Sequence, residues 1–201
     1  MRRVLFPILA ALTLFFCNCK KDTGAKAQTV VERDTVYVEV HDTTVIPALI
    51  SDTVTTLIIL RHAEKESTGV DPNLDSDGQA RAEELKRILM NVPVSNIYFT
   101  PYKRTRQTVQ PLATAKGLTV AEYSTNLSYA QVLEQVLAAN RGKVAVIVGH
   151  SNTVPGILKE ASKNSFNITI NESQYDNLFI VSMPDKMTPV VKHLKYGKET
   201  P

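Results

Sequence analysis

Leu57-Ile58-Ile59-Leu60, entered from Thr56, and Val144-Ala145-Val146-Ile147-Val148 are apolar without break or alternation. Runs of this kind predict strands buried on both faces, as in a parallel sheet covered by helices. Elsewhere the period changes. Ser76 to Met90 carries Ala80, Leu85, Ile88 and Leu89 at helical spacing, with Ser76 or Asp77 as the start signal. Helices are also predicted from Lys103 to Lys116, closed by Gly117, and from Tyr129 to Asn140, with Val132, Leu133, Val136 and Leu137 facing inward. A shorter one runs from Val154 to Ala161. Ile97 to Phe99, Leu118 to Tyr123, Leu178 to Met183 and Val190 to Leu194 read as further strands. Strands alternating with helices predict an α/β three-layer sandwich, a largely parallel central sheet flanked by helices, over residues 54–201.

The first 53 residues do not follow this pattern. Arg2 and Arg3 precede an apolar run from Val4 to Phe16, interrupted by Pro7 and Thr13, which reads as a secretory signal over residues 1–19. The run is shorter than the about 20 apolar residues of a membrane-spanning helix. Cys17 and Cys19 stand where it ends, followed by Lys20, Lys21 and Asp22. This resembles a bacterial lipoprotein signal, with Cys19, where the polar stretch begins, as the lipidated residue and Cys17 as the alternative. The pattern departs from the usual one in lacking small residues before the cysteine. An ordinary cleaved signal and an uncleaved apolar anchor are the other readings. Several acyl chains would hold the protein stably at a membrane. Residues 20–53, rich in Thr, Val and Asp, read as an extended tether. Val36 to Val40 alternates like a strand but has no evident partner to pair with.

Composition narrows the function. Apolar residues make up 43% of the 201-residue chain, enough for one α/β domain with a buried core. Cleavage before Cys19 would remove two arginines, taking Lys plus Arg from 23 to 21 against 20 acidic residues and the net charge from +3 to +1. The basic balance therefore belongs partly to the signal and gives no argument for nucleic acid as a partner. No cysteine follows Cys19, so the domain has no thiolate for catalysis or metal binding and must rely on its core for stability.

In open α/β sheets, ligands bind beyond the carboxyl ends of the central strands. The first buried strand runs into Arg61-His62-Ala63-Glu64-Lys65 and the second into Gly149-His150-Ser151-Asn152. Thr100 to Thr108, containing Arg104 and Arg106, follows the strand at Ile97 to Phe99. All three groups are expected at one sheet edge, placing two imidazoles beside at least two guanidinium groups. Each group alone has a plain structural explanation. Together, their uncompensated positive charge points to an anion as the ligand.

Arg61-His62-Ala63-Glu64, Arg104 with Gln107-Thr108, and Gly149-His150-Ser151, in this order and context, resemble the phosphoglycerate mutase-like branch of the histidine phosphatase superfamily. The resemblance covers about residues 55–196 and implies a phosphoric monoester hydrolase using neither metal nor cofactor. In it, His62 attacks phosphorus and carries the phosphoryl group, as a neutral imidazole can near neutral pH. Arg61 and Arg104 hold the phosphoryl oxygens with their planar donor forks. His150, protonated beside the phosphate, adds charge that helps most in the transition state. Asn152 is a further candidate for binding substrate, a small phosphorylated compound.

The resemblance also implies a carboxylic acid that protonates the leaving oxygen, and here the sequence departs from the family pattern. Leu127-Ser128-Tyr129 stands where a Glu is expected. Tyr129, Glu122, Glu66 and Asp71 are the substitutes considered, and without a strong acid the enzyme is expected to favour good leaving groups. Residues that recognise the leaving group are expected in the loops 66–73 and 162–175. Export argues against a glycolytic mutase and against a cytoplasmic phosphohistidine phosphatase. It favours a phosphatase facing the periplasm or the cell surface. A non-catalytic anion-binding lipoprotein of the same fold and a structural envelope lipoprotein are the alternatives.

Overall fold

The computed structural model describes residues 27–32, 35–40 and 53–201. The signal segment 1–19, with Cys17 and Cys19, and most of the 20–53 stretch lie outside the described residues. One point of the tether reading changes. β1 (Ala27–Glu32) and β2 (Thr35–Val40) pair antiparallel, with Val31 opposite Val36 and Ala27 opposite Val40. Val36 to Val40 therefore has a partner, and the pairing satisfies backbone donors and acceptors that an unpaired strand leaves to water.

Residues 51–201 form a compact unit of their own. Its elements in chain order are β3 (Val54–Arg61), α1 (Ser76–Leu89), β4 (Val94–Phe99), α2 (Lys103–Lys116), β5 (Val120–Glu122), α3 (Tyr129–Asn140), β6 (Val144–Gly149), α4 (Val154–Ala161), β7 (Asn177–Pro184) and β8 (Val190–Lys195). They build one six-stranded sheet in the order β5-β4-β6-β3-β7-β8. The first four strands of that order are mutually parallel, while β7 runs antiparallel to β3 and to β8. The fold is thus the α/β sandwich with a mostly parallel sheet that the sequence pattern predicts.

The strand period sorts the core into two layers. Leu57, Ile59, Ala145 and Ile147 pack on one face with Val132 and Val136 of α3 and Ile157 and Leu158 of α4. Ile58, Leu60, Val146 and Val148 pack on the other with Leu85 and Leu89 of α1 and Val109 and Leu112 of α2. Covering both faces is what makes the two central runs continuously apolar.

Helix starts depend on local chemistry. Asp75, one residue before the expected signal, caps α1: its Oδ1 accepts the Gly78 N–H at 2.8 Å. Gly78 sits against the loop leaving β3, where a Cβ would lie 2.0 Å from the carbonyl oxygen of Glu64. Only glycine permits that approach. α3 opens with a capping box made by Ser128 and Gln131.

Candidate active site

Strand register brings the site together. Arg61 lies opposite Gly149 in the parallel β3–β6 pair, and in each strand the next residue is a histidine. The N–H of His62 donates to the Gly149 carbonyl at 2.9 Å, and the two rings meet edge-on with centroids 5.2 Å apart. β4 ends level with them, Phe99 opposite Val148, so Thr100 emerges beside His150 with its hydroxyl 2.8 Å from His150 Nε2.

His62 is 3% exposed, and its Nδ1 lies 2.7 Å from the carbonyl of Ala63. A carbonyl has no proton to give, so Nδ1 carries the hydrogen and Nε2 keeps its lone pair. Burial pushes the His62 pKa down to about 3, with the charges of Arg61, His150 and Arg104 adding to the effect against the opposing Ala63 bond. The ring is neutral at physiological pH, the form a nucleophile requires. The loop carrying it is pinned by Thr108, whose hydroxyl accepts the Ala63 N–H at 2.9 Å and donates to the Arg104 carbonyl at 2.7 Å.

His150 is half-buried, and its pKa is pushed down to about 4, first by burial and then by Arg104 and Arg61, with Glu172 opposing. Without a bound anion the ring is therefore neutral near neutral pH. A phosphoryl dianion beside the ring would favour protonation. Tyr102 meets the His150 ring at right angles, centroids 5.1 Å apart, and lies under the Arg104 guanidinium at 4.3 Å.

The two arginines are held in different ways. Arg61 is 1% exposed; its Nη1 donates to the carbonyls of Asn171, Glu172 and Gln174 at 3.0, 2.7 and 3.0 Å. Its Nη2 donates to Glu172 Oε2 at 2.7 Å, and its guanidinium lies 4.0 Å from the centre of the Tyr175 ring. The expected fork on an oxyanion is thus occupied by the 171–175 loop, because three carbonyls and a carboxylate converge on it. Arg104 places Nη1 3.5 Å from Asp71 Oδ1, and the same carboxylate accepts the Lys103 N–H at the start of α2. Among the described residues, Arg61 Nε and Arg104 Nε are buried donors without a hydrogen-bond partner. Buried donors are rarely left so, and two beside a pair of imidazoles suit an anionic ligand.

A cavity of about 660 Å³ opens here, lined by His62, His150, Arg104, Tyr102 and Asn152, and by Lys65, to which the sequence reading assigned no role. Tyr129 lines it too, with its hydroxyl donating to the Asn152 carbonyl at 3.3 Å. The other acids considered are elsewhere. Glu122 closes the edge strand β5, Glu66 lines a separate depression with Asn73 and Gln79, and Asp71 is taken up by α2 and Arg104. The one carboxylate on the cavity wall is Glu172, whose Oε1 accepts the Ser151 hydroxyl. Ser151, then Arg61, Lys65 and His150, hold its carboxyl below the ordinary range against the opposing effect of burial. It falls in the loop 162–175, but no spacing rule ties position 172 to positions 61 and 151. Among the described residues no three His, Cys, Asp or Glu side chains are grouped so as to hold a metal ion.

Comparison with known proteins bears out the resemblance. The family model of the histidine phosphatase superfamily (branch 1) matches residues 57–127, a stretch containing Arg61, His62 and Arg104 and ending before His150. No curated protein sequence matches the chain. Among solved structures, one described as the phosphohistidine phosphatase SixA of Agrobacterium tumefaciens, by assignment, superposes with a TM-score of 0.52 at 19% identity, covering 70% of this chain and 97% of that one. The protein histidine phosphatase SixA complexed with tungstate gives 0.56 at 11% identity, covering 70% and 96%. A phosphoserine phosphatase from Entamoeba histolytica, in complex with 3-phosphoglyceric acid, gives 0.53 at 17%, covering 72% and 98%. At these identities the likeness is one of fold.

Proposed function

We propose that the 54–201 domain is a phosphomonoesterase that works through a phosphohistidine on His62. The observation that carries the reading is the bond from His62 Nδ1 to the Ala63 carbonyl, which leaves Nε2 unprotonated at a cavity ringed by Arg104, Lys65 and His150. Nε2 attacks phosphorus, the N–P bond forms, and the P–O bond to the leaving group breaks. Glu172, the carboxylate on the cavity wall, supplies the leaving oxygen with its proton; the incoming dianion raises its proton affinity. Water then attacks phosphorus and returns a proton to Glu172. The N–P bond breaks, and phosphate leaves. Positive charge for the transition state comes from Arg104, Lys65, Arg61 through Nε, and His150 once protonated, so the reading calls on no metal.

The cavity is several times the size of a phosphoryl group, and Tyr129, Asn152 and Leu127 line it, leaving space for an ester of some bulk. The neighbours described as acting on phosphohistidine and on phosphoserine are consistent with a phosphoryl substrate. The amino-terminal sequence supports export and a lipid anchor at Cys19, with the substrate in the periplasm or at the cell surface. Among the described residues no helix is long and apolar enough to cross a membrane.

Turnover of an aryl phosphate by the purified protein tests the reading. Acid quenching should trap an acid-labile phosphoryl adduct on the wild type, and His62→Ala should yield neither product nor adduct. Retention of bound phosphate without turnover by the wild type would instead establish an anion-binding module.

A further inference from the structure

The 171–175 loop, which holds Arg61 and carries Glu172, is anchored from a distant part of the chain. Thr200 Oγ1 accepts the N–H groups of Tyr175 at 3.1 Å and Asp176 at 3.4 Å, and donates to Asp176 Oδ1 at 2.7 Å. The Tyr196 N–H donates to the Asp176 carbonyl at 2.9 Å, and Lys195 Nζ bonds Asp176 Oδ1 at 2.8 Å. Asp176 is 2% exposed, so its carboxylate stays buried on the strength of these partners.

Residues 196–200 are fixed in turn from the other side of the site. Arg81 of α1, fully buried, donates through Nη1 to the Tyr196 carbonyl at 2.5 Å and through Nη2 to the Lys198 carbonyl at 2.6 Å. Its Nε and Nη2 grip both carboxylate oxygens of Glu64 at 2.7–3.1 Å. Gly197, at φ +69°, lets the chain turn over that guanidinium; a Cβ there would lie 2.9 Å from Nη1. The circuit starts two residues after His62, crosses Glu64, Arg81, Thr200 and Tyr175, and returns at Arg61.

Resting on the phosphatase reading, we propose that Thr200, with Asp176, is a positioning element of the active site. It sets the height of the 171–175 loop so that the loop carbonyls hold Arg61 and Glu172 reaches Ser151. Thr200 touches neither Arg61 nor His62 and acts through the Tyr175–Asp176 backbone. Thr200 is half-buried, and its hydroxyl is one of the groups that keep the buried Asp176 carboxylate hydrogen-bonded.

The experiment compares full-length wild type with Thr200→Val, nearly the same shape without the hydroxyl, and Thr200→Ser, which restores it. Turnover of an aryl phosphate, affinity for tungstate, and amide hydrogen exchange at residues 171–176 are measured on each. A misplaced catalytic wall typically costs between about tenfold and 10²-fold in rate. Thr200→Val should lose kcat/KM in that range, with faster exchange at Tyr175 and Asp176, and Thr200→Ser should recover both. Asn140→Ala, which breaks a buried link to Asn96 and Tyr98 away from the site, should lower Tm and leave kcat/KM unchanged. Wild-type kcat/KM and tungstate affinity in folded Thr200→Val would overturn the proposal, and so would failure of serine to rescue. A wild type that binds tungstate without turning over substrate defeats the phosphatase reading alone, and the clamp is then judged on tungstate affinity. A wild type that does neither overturns both.

Discussion

Oε2 of Glu172 lies 2.7 Å from Nη2 of Arg61, and the other oxygen of the same carboxylate takes the Ser151 hydroxyl. The side chain is 80% exposed, so this contact sits at the cavity mouth and not in the core. A carboxylate among cationic groups is held charged at rest, and a phosphoryl dianion entering beside it pushes it toward the protonated form. Under the phosphatase reading, this carboxylate is the group proposed to protonate the leaving oxygen.

Glu172→Gln should separate leaving groups. Turnover of a simple alkyl phosphate should fall about 10²-fold, the usual worth of general acid catalysis, while an aryl phosphate loses far less. The measurement is kcat for a series of esters graded by leaving-group pKa. A uniform loss across the series would remove Glu172 from proton transfer.

The pH dependence should carry the signature of depressed imidazoles. Free His62 has its pKa at about 3 and His150 at about 4, against 6.5 in water. The acid limb of kcat/KM for an aryl phosphate, corrected for the substrate's own ionisation, should lie well below pH 6. A limb near 6.5 would mean that the nucleophile is solvated.

Stability should follow the same shifts. The unfolded chain takes up protons at both histidines as the pH falls through about 6.5, whereas the folded protein takes them up only near 4 and 3. The unfolded state binds more protons in between, so stability declines on acidification across that window. Thermal melts from pH 7 to pH 4 should show Tm falling, with a shallower slope in His150→Gln. If the site takes an oxyanion as proposed, tungstate should raise Tm throughout.

Asp71 links α2 to the site, since its carboxylate accepts the Lys103 N–H and pairs with Arg104. Asp71→Ala should destabilise the protein by about 1 kcal/mol, the usual worth of a helix cap, and should weaken inhibition by inorganic phosphate as Arg104 loses its guide. Denaturant midpoints and phosphate inhibition constants check the two effects separately. A changed midpoint with unchanged inhibition would make Asp71 a cap alone.

Much of this was legible in the chain. Continuous apolar runs at 57–60 and 144–148 mark buried strands because only strands covered on both faces can afford them, and α2, α3 and α4 begin and end at the residues the pattern indicates. The histidines were locatable because each follows a buried strand directly, and parallel strands end at one edge. The start of α1 moved to Asp75 because capping depends on which side chain reaches Gly78. The tertiary structure alone decided the partners. Arg61 met Asn171, Glu172 and Gln174 across more than a hundred residues, and Thr200 met Tyr175 through a loop of no regular period. Periodicity reports which face of an element is buried. Contacts between irregular segments depend on how far each loop reaches, and that is settled only when the layers pack.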